Sequence, residues 1–168
     1  VVRYHLENGG VSRYEKFRYF YEQLLGQTIT EKEIEKLGKE FSGLVMQKVI
    51  DSPFIPGAWE TLQQIGKKNI PAFVVSGTPD REIKVIVREK GLSPYFQEVH
   101  GSPRKKWEIT ADILKRRMFN PKTCIFVGDA LSDYEAAEFN SLKFLGIVSS
   151  NNSSVFPSVT KISSQVLL

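Results

Sequence analysis

Cysteine occurs once, at Cys124, so no disulfide can form within the chain and a fold stapled by disulfides is excluded. A lone thiol favours a reducing, cytoplasmic setting. Cys124 runs into the apolar Ile125-Phe126-Val127 and reads as a small core residue, not a reactive group. Histidine is confined to His5 and His100, neither with a partner at metal-ligand spacing, so both read as structural. No apolar stretch approaches the ~20 residues that cross a bilayer, and no charged-then-apolar secretory leader is expected from the opening residues given. Basic runs are as short as Arg104-Lys105-Lys106, and no DNA- or RNA-reading motif appears, so neither a membrane nor a nucleic acid is expected as partner.

What is present suits a soluble α/β protein. Of 168 residues, 41% are apolar and 25% charged, enough apolar mass for one core with a small appendage. The net charge of +4 suits an anionic ligand without requiring one. The first third is helical in pattern. Ser12 and Glu15 have capping-box spacing ahead of Tyr14, Phe17, Phe20, Tyr21, Leu24 and Leu25, a stripe that reads as packing surface and that Gly26 stops. Thr30 and Glu33 open a second helix carrying Ile34, Leu37, Phe41 and Leu44. The prolines and glycine of Asp51-Ser-Pro-Phe-Ile-Pro-Gly57 mark a linker, which divides the chain into 1–52 and 53–168.

Beyond the linker, helices and apolar runs alternate. Helices are expected over about 58–68, 79–90, 106–118 and 133–139, and strands over 70–75, 98–100, 123–127 and 143–148. That alternation predicts a Rossmann-like parallel sheet covered by helices on both faces. The serine- and asparagine-rich stretch at 149–154 holds two Asn-x-Ser sequons, at Asn151 and Asn152, and reads as a polar turn. In such a sheet ligands bind beyond the carboxyl ends of the strands. The segments there are Ser76-Gly77-Thr78, then Gly101 to Lys106, then Gly128-Asp129 through Asp133.

Each segment has a plain reading and a chemical one. Asp129 and Asp133 offer oxygen ligands to a hard cation such as Mg²⁺, and Gly128 permits close backbone approach. Alternatively, Asp133 and Ser132 simply cap the helix, Ser132 with Glu135 in a capping box, which leaves Asp129 unexplained. Ser76, Gly77 and the free N–H groups of a helix start can cradle phosphate, or Thr78 can simply cap that helix, with Pro79 at its first position. Lys106 can neutralise a phosphoryl group or sit on the surface.

Taken in order, strand–Ser76, loop–Lys106 and strand–Gly128-Asp129-x-x-x-Asp133 resemble motifs two, three and four of the haloacid dehalogenase superfamily, over about Ile55 to Val148. The phosphoglycolate phosphatase and β-phosphoglucomutase-like subgroup is the nearest in pattern, with 1–52 similar to its small helical cap. The resemblance implies a Mg²⁺-dependent phosphomonoester hydrolase acting on a small phosphorylated metabolite through an aspartyl-phosphate. In it Ser76 holds the transferring phosphoryl oxygen, Lys106 orients the nucleophile, and Asp129 binds the metal with support from Asp133. Lys105 is the less favoured alternative to Lys106. Gly9-Gly10-Val11-Ser12-Arg13 is similar to the subgroup's cap loop, in which Arg13 would meet a second anionic group of the substrate; it could equally be a solvated residue behind a capping serine. A phosphosugar mutase, or a non-catalytic phosphate-binding module, are the alternatives.

One motif has no counterpart. The superfamily's nucleophile and general acid lie in an Asp-x-Asp pair, and Asp51, Asp80, Asp112, Asp129 and Asp133 contain none. The pair is expected upstream of Val1, on the central strand, and 1–168 alone is expected to be inactive.

Overall fold

The computed structural model describes residues 1–148 and 154–166; both sequons lie outside them. Four helices come first: α1 (Val2–Glu7), α2 (Arg13–Tyr19), α3 (Glu31–Asp51) and α4 (Ala58–Lys67). Then follow β1 (Phe73–Pro79), α5 (Asp80–Glu89), β2 (Glu98–Ser102), α6 (Lys106–Arg117), β3 (Ile125–Gly128), α7 (Leu131–Phe139), β4 (Lys143–Ile147) and β5 (Ile162–Ser163).

The helix boundaries follow local chemistry, in part differently from expectation. Thr30 accepts the Glu33 N–H while Glu33 reaches back to the Thr30 N–H at 2.9 Å, the anticipated capping box. Ser12 precedes α2 but makes no capping hydrogen bond. A single π-helical turn, Phe20–Leu24, continues α2, and Gly26 follows at φ +63°. After α4, Asn69 turns left-handed at φ 51° and the Ile70 N–H returns to the Ile65 carbonyl. Ile70 therefore finishes a helix, and β1 starts at Phe73, three residues later than the apolar run suggested. Thr78 lies inside β1, and Pro79 is the N-cap of α5.

Every strand pairing is parallel, as the alternating pattern requires, but the strands form two sheets. One is β1–β2, with Val74 opposite Val99. The other runs β3–β4–β5, with Val127 opposite Leu145. A parallel sheet without its central strand was anticipated, and β1 and β3 each keep one edge without a strand among the described residues. Both are only half-buried, whereas parallel strands between two helical layers are ordinarily buried on both faces. Cys124 is likewise only partly buried, its thiol near the Asn120 carbonyl.

The core lies between α5, α6 and α7 and the strands. Ile86, Val87, Ile109, Ile113, Ala136, Ala137 and Leu145 are buried, and each large aliphatic side chain so buried contributes about 1.5–3 kcal/mol. Phe144 and Phe156 meet edge to face at 5.2 Å and Tyr134 joins them, fastening α7 to the outer sheet. α2 and α3 are tied to α5 through one polar cluster. Arg13 forks onto both oxygens of Glu82, at 2.7 and 2.9 Å, and also donates to Ser42 on α3.

β2 is anchored by Glu98, which accepts from Arg116, Arg117 and His100. Arg116 first, then His100 and Arg117, hold its carboxyl well below the ordinary glutamate range. Because its folded pKa is depressed, the stabilisation is present above the unfolded value of about 4.3 and lost as pH falls through it towards the folded one. Glu98→Gln is expected to lower the melting temperature at pH 7 and to flatten its decline between pH 5 and 3; a parallel decline in both proteins would remove Glu98 from the acid response.

Candidate active site

A cleft of about 700 Å³ opens at the carboxyl ends of β1 and β3. Ser76, Gly77 and Thr78 line it from β1, Lys106 from the start of α6, and Gly128, Asp129 and Asp133 from the β3–α7 turn. The three segments picked out by position after a strand thus meet in one place. The lining is completed by Gly10 and Val11 from the loop before α2 and by helical residues including Arg13, Lys16, Phe17 and Phe41.

The closeness of that loop depends on glycine. The Gly10 carbonyl lies directly against the Cα of Gly77, where a side chain at position 77 would overlap it. Gly10 is itself left-handed, φ +73°, and sits against Ala130, Ser132 and the Lys106 ammonium with no room for a Cβ. The loop before α2 therefore enters the gap between β1 and β3 at its ligand-facing end.

Lys106 and Asp133 form the electrostatic centre. Their ion pair is 2.6 Å long, with side chains only 10% and 7% exposed. The other oxygen of Asp133 accepts the Ala130 N–H at 3.1 Å. Asp133 therefore closes the start of α7, and Ser132 does not: its hydroxyl is buried without a partner. Burial pushes the Asp133 carboxyl up, against the pull of Lys106, and the charge of Asp129 pushes it further. Gly128 makes this possible, since a Cβ there would overlap the Asp133 carboxylate. Lys105, one residue away, points elsewhere and pairs with Glu15 on the surface.

Ser76 keeps its hydroxyl in the cleft and accepts the Thr78 N–H at 3.1 Å. The turn thus presents a hydroxyl and an amide at one point, the donor set an anionic oxygen requires.

Mg²⁺ takes oxygen ligands, and the fit of this site is partial. Asp129 is exposed at the end of β3, with no hydrogen-bond or ion-pair partner among the described residues, and is free to bind a cation. Asp133 is engaged by Lys106 and Ala130. Among the described residues no three acidic, histidine or cysteine side chains are grouped to hold a metal unaided. The donor set suits a cation held by Asp129 and completed by water, phosphate oxygens or further residues.

Arg13 lines the cleft, yet its guanidinium is spent on Glu82 and Ser42 and lies over the Phe41 ring at 4.7 Å. Three contributors went unnoticed in the sequence. Glu82 sits inside an ordinary amphipathic helix, Lys16 among aromatic packing positions, and His5, taken as structural, lines the cleft. No local signal marks Glu82 or Lys16; the fold alone brings them in.

Parallel strands, a cleft at their carboxyl ends and Ser76, Lys106 and Asp129 along its lining together define an α/β fold with a polar cleft at the sheet edge. The family model for haloacid dehalogenase-like hydrolases matches residues 3–139, and the chain belongs to that family. Among curated proteins it is similar to a phosphoglycolate phosphatase of Pseudomonas putida, 25% identical over 97 residues, covering 55% of this chain and 36% of that protein. A phosphoglycolate phosphatase of Haemophilus influenzae is 24% identical over 128 residues, 73% of this chain and 57% of that protein. The chain thus spans between about a third and just over half of these relatives. Among solved structures, the β-phosphoglucomutase of Clostridium difficile superposes with a TM-score of 0.67 at 20% identity, covering 85% of this chain and 67% of that one. A predicted phosphoglycolate phosphatase from Haemophilus somnus 129pt gives 0.66 at 19%, covering 84% and 68%. At such identities the likeness establishes the fold.

Proposed function

We propose that this chain supplies the phosphate- and cation-binding part of a Mg²⁺-dependent phosphomonoester hydrolase acting on a small phosphorylated metabolite. The observation that carries it is the buried Lys106–Asp133 pair, lining one cleft with Ser76 and with Asp129, which has no partner among the described residues.

The Ser76 hydroxyl and the amides of Gly77 and Thr78 hold a phosphoryl oxygen, with the Thr78 N–H exchanging its internal bond for the ligand. Lys106 offsets the charge of the transferring phosphoryl group, and Asp133 fixes the ammonium in place, so little reorganisation is needed during reaction. A divalent cation held by Asp129 would further offset the repulsion between phosphate and an attacking carboxylate. That carboxylate, which would form an aspartyl-phosphate, would come from a residue outside 1–168. Residues 1–52 act as a cap over the core 53–168, and their Phe17, Phe20 and Phe41 keep water from the reacting group. The mutase reading leaned on a free Arg13, which Glu82 instead engages, so hydrolysis is favoured.

Turnover of p-nitrophenyl phosphate by the intact protein containing this chain, with and without EDTA, tests this. Hydrolysis that EDTA abolishes and Mg²⁺ restores is expected; hydrolysis indifferent to EDTA, or none with Mg²⁺ present, refutes it.

A further inference from the structure

The long helix α3 belongs to 1–52 and α5 to 53–168, and α5 clamps α3 at two points. At one, the Ser42 hydroxyl lies 2.6 Å from a carboxylate oxygen of Glu82. At the other, the Lys90 ammonium donates to the Ile50 carbonyl at 2.8 Å. The clamps are eight residues apart on each helix, which is about 12 Å at the rise of an α-helix.

The two clamps differ in kind. Lys90 donates to the Ile50 and Ser52 carbonyls at 2.8 Å each and reaches the Val49 carbonyl at 3.5 Å. The last carbonyls of a helix lack internal partners and carry the negative end of its dipole, so a cation suits them. The same ammonium lies over the Phe54 ring at 4.9 Å, and Phe54 stacks on Trp59 of α4. The groups that Lys90 holds, from Val49 to Phe54, form the junction where the chain passes from 1–52 into 53–168. A rotation about that junction displaces them least. Glu82 holds the other end. Its side chain is 6% exposed, and it engages both terminal nitrogens of Arg13 as well as Ser42. Arg13 lines the cleft, three residues beyond Gly10, which packs on Gly77. One more ion pair crosses at this end, Lys105 with Glu15, but it is exposed and contributes little. A buried, forked arginine–carboxylate pair is the stronger tie.

We propose that residues 1–52 swing over the cleft about a pivot at Lys90, and that Glu82 is the latch, a positioning residue that holds them shut through Arg13 and Ser42. The proposal rests on the division into 1–52 and 53–168 and on the phosphomonoesterase reading, in which the helical residues keep water from the reacting group. It adds the point about which they move and the bond that must break. Since α3 is held at its C-terminal end, its N-terminal end travels furthest.

Spin labels on the intact protein containing this chain test the motion. The far pair is Glu35→Cys with Lys122→Cys; the near pair, beside the pivot, is Lys48→Cys with Lys122→Cys. All three positions are exposed, and Cys124→Ser belongs to a background free of other cysteines. Double electron–electron resonance reads the distances. The parent should give one narrow distance for each pair. Glu82→Gln should add a second distance for the far pair and leave the near pair narrow. Glu82→Gln combined with Arg13→Met removes the ion pair without stranding a charge and should do the same; thermal melts confirm that both variants fold. Lys90→Met should broaden the near pair. On p-nitrophenyl phosphate in Mg²⁺, Glu82→Gln should lower kcat about tenfold with KM little changed. The groups that hold phosphate stay in 53–168 while the water-excluding residues leave, a split that a merely structural ion pair would not produce. A single far-pair distance in both Glu82 variants, an unchanged near pair in Lys90→Met, or a parental kcat in Glu82→Gln overturns the proposal. A parent that hydrolyses nothing overturns the phosphomonoesterase reading instead, and the distances alone then decide whether Glu82 is a latch.

Discussion

Replacing Lys106 with methionine is expected to lower the unfolding free energy by about 3–5 kcal/mol at pH 7, because it strands Asp133 as an unpaired buried carboxylate. Asp133 is 7% exposed and its remaining partner is a single backbone amide. Burial already pushes its carboxyl up, and without the ammonium it rises further. A carboxyl with a raised folded pKa favours the protonated native state, so its contribution is intact below the unfolded pKa and lost as pH rises through the folded one. The deficit of Lys106→Met should therefore be largest at neutral pH and narrow towards pH 4. Denaturant titration at the two pH values reads this directly. Adding Asp133→Asn should recover part of the loss, since the stranded charge is gone. A Lys106→Met protein as stable as its parent would mean that the pair does not exist in solution. Phosphate affinity should fall in both variants, as each lacks the only cation that faces Ser76 from α6.

Asp129→Asn should behave in the opposite way. Its side chain is exposed and engages nothing internal, so stability should stay within about 0.5 kcal/mol of the parent. Mg²⁺ affinity should drop roughly tenfold to a hundredfold, because a charged oxygen ligand becomes neutral. Any phosphomonoesterase turnover of the intact protein should fall by a similar factor or more. The two substitutions thus separate two roles within one cleft: Lys106 holds the site together and Asp129 serves the ligand. A variant that binds Mg²⁺ as before would take Asp129 out of the metal site.

Much of this arrangement was legible in the sequence, because it depends on position along the chain. Alternation of apolar runs with amphipathic helices implied parallel strands, and a parallel strand delivers its next residues to one edge. Ser76, Lys106 and Asp129 were found that way. Boundaries were less legible. β1 begins late because Asn69 and Ile70 complete the close of α4, a local consequence of one left-handed residue. Of the two residues expected to cap α7, Asp133 does so and Ser132 does not, because Asp133 can serve Ala130 and Lys106 together.

Least legible were contacts between distant elements. Arg13 and Glu82 are 69 residues apart, and nothing near Glu82 sets it apart from the other acidic residues of helical surfaces. Lys16 is concealed by its neighbours, since a lysine amid phenylalanines on an amphipathic helix would be placed at the solvent face. Its burial follows from α2 lying over the cleft, with Tyr14 packed closely against Gly38 of α3. The two sheets part where the strand carrying the Asp-x-Asp pair was expected. A strand inserted between β1 and β3 would give both open edges hydrogen-bonding partners, provided the Gly10 loop withdrew from the ligand-facing end of that gap.

The central claim is that Ser76, Lys106 and Asp129 surround one phosphoryl position. Crystals of the intact protein soaked with tungstate, a phosphate mimic that is located unambiguously by its anomalous scattering, test it most directly. The account predicts a tungstate within hydrogen-bonding reach of the Ser76 hydroxyl and the Lys106 ammonium, on the side of the cleft facing Asp129. Tungstate bound only at surface clusters such as Arg116 and Arg117, with this cleft empty at saturating concentration, would contradict it.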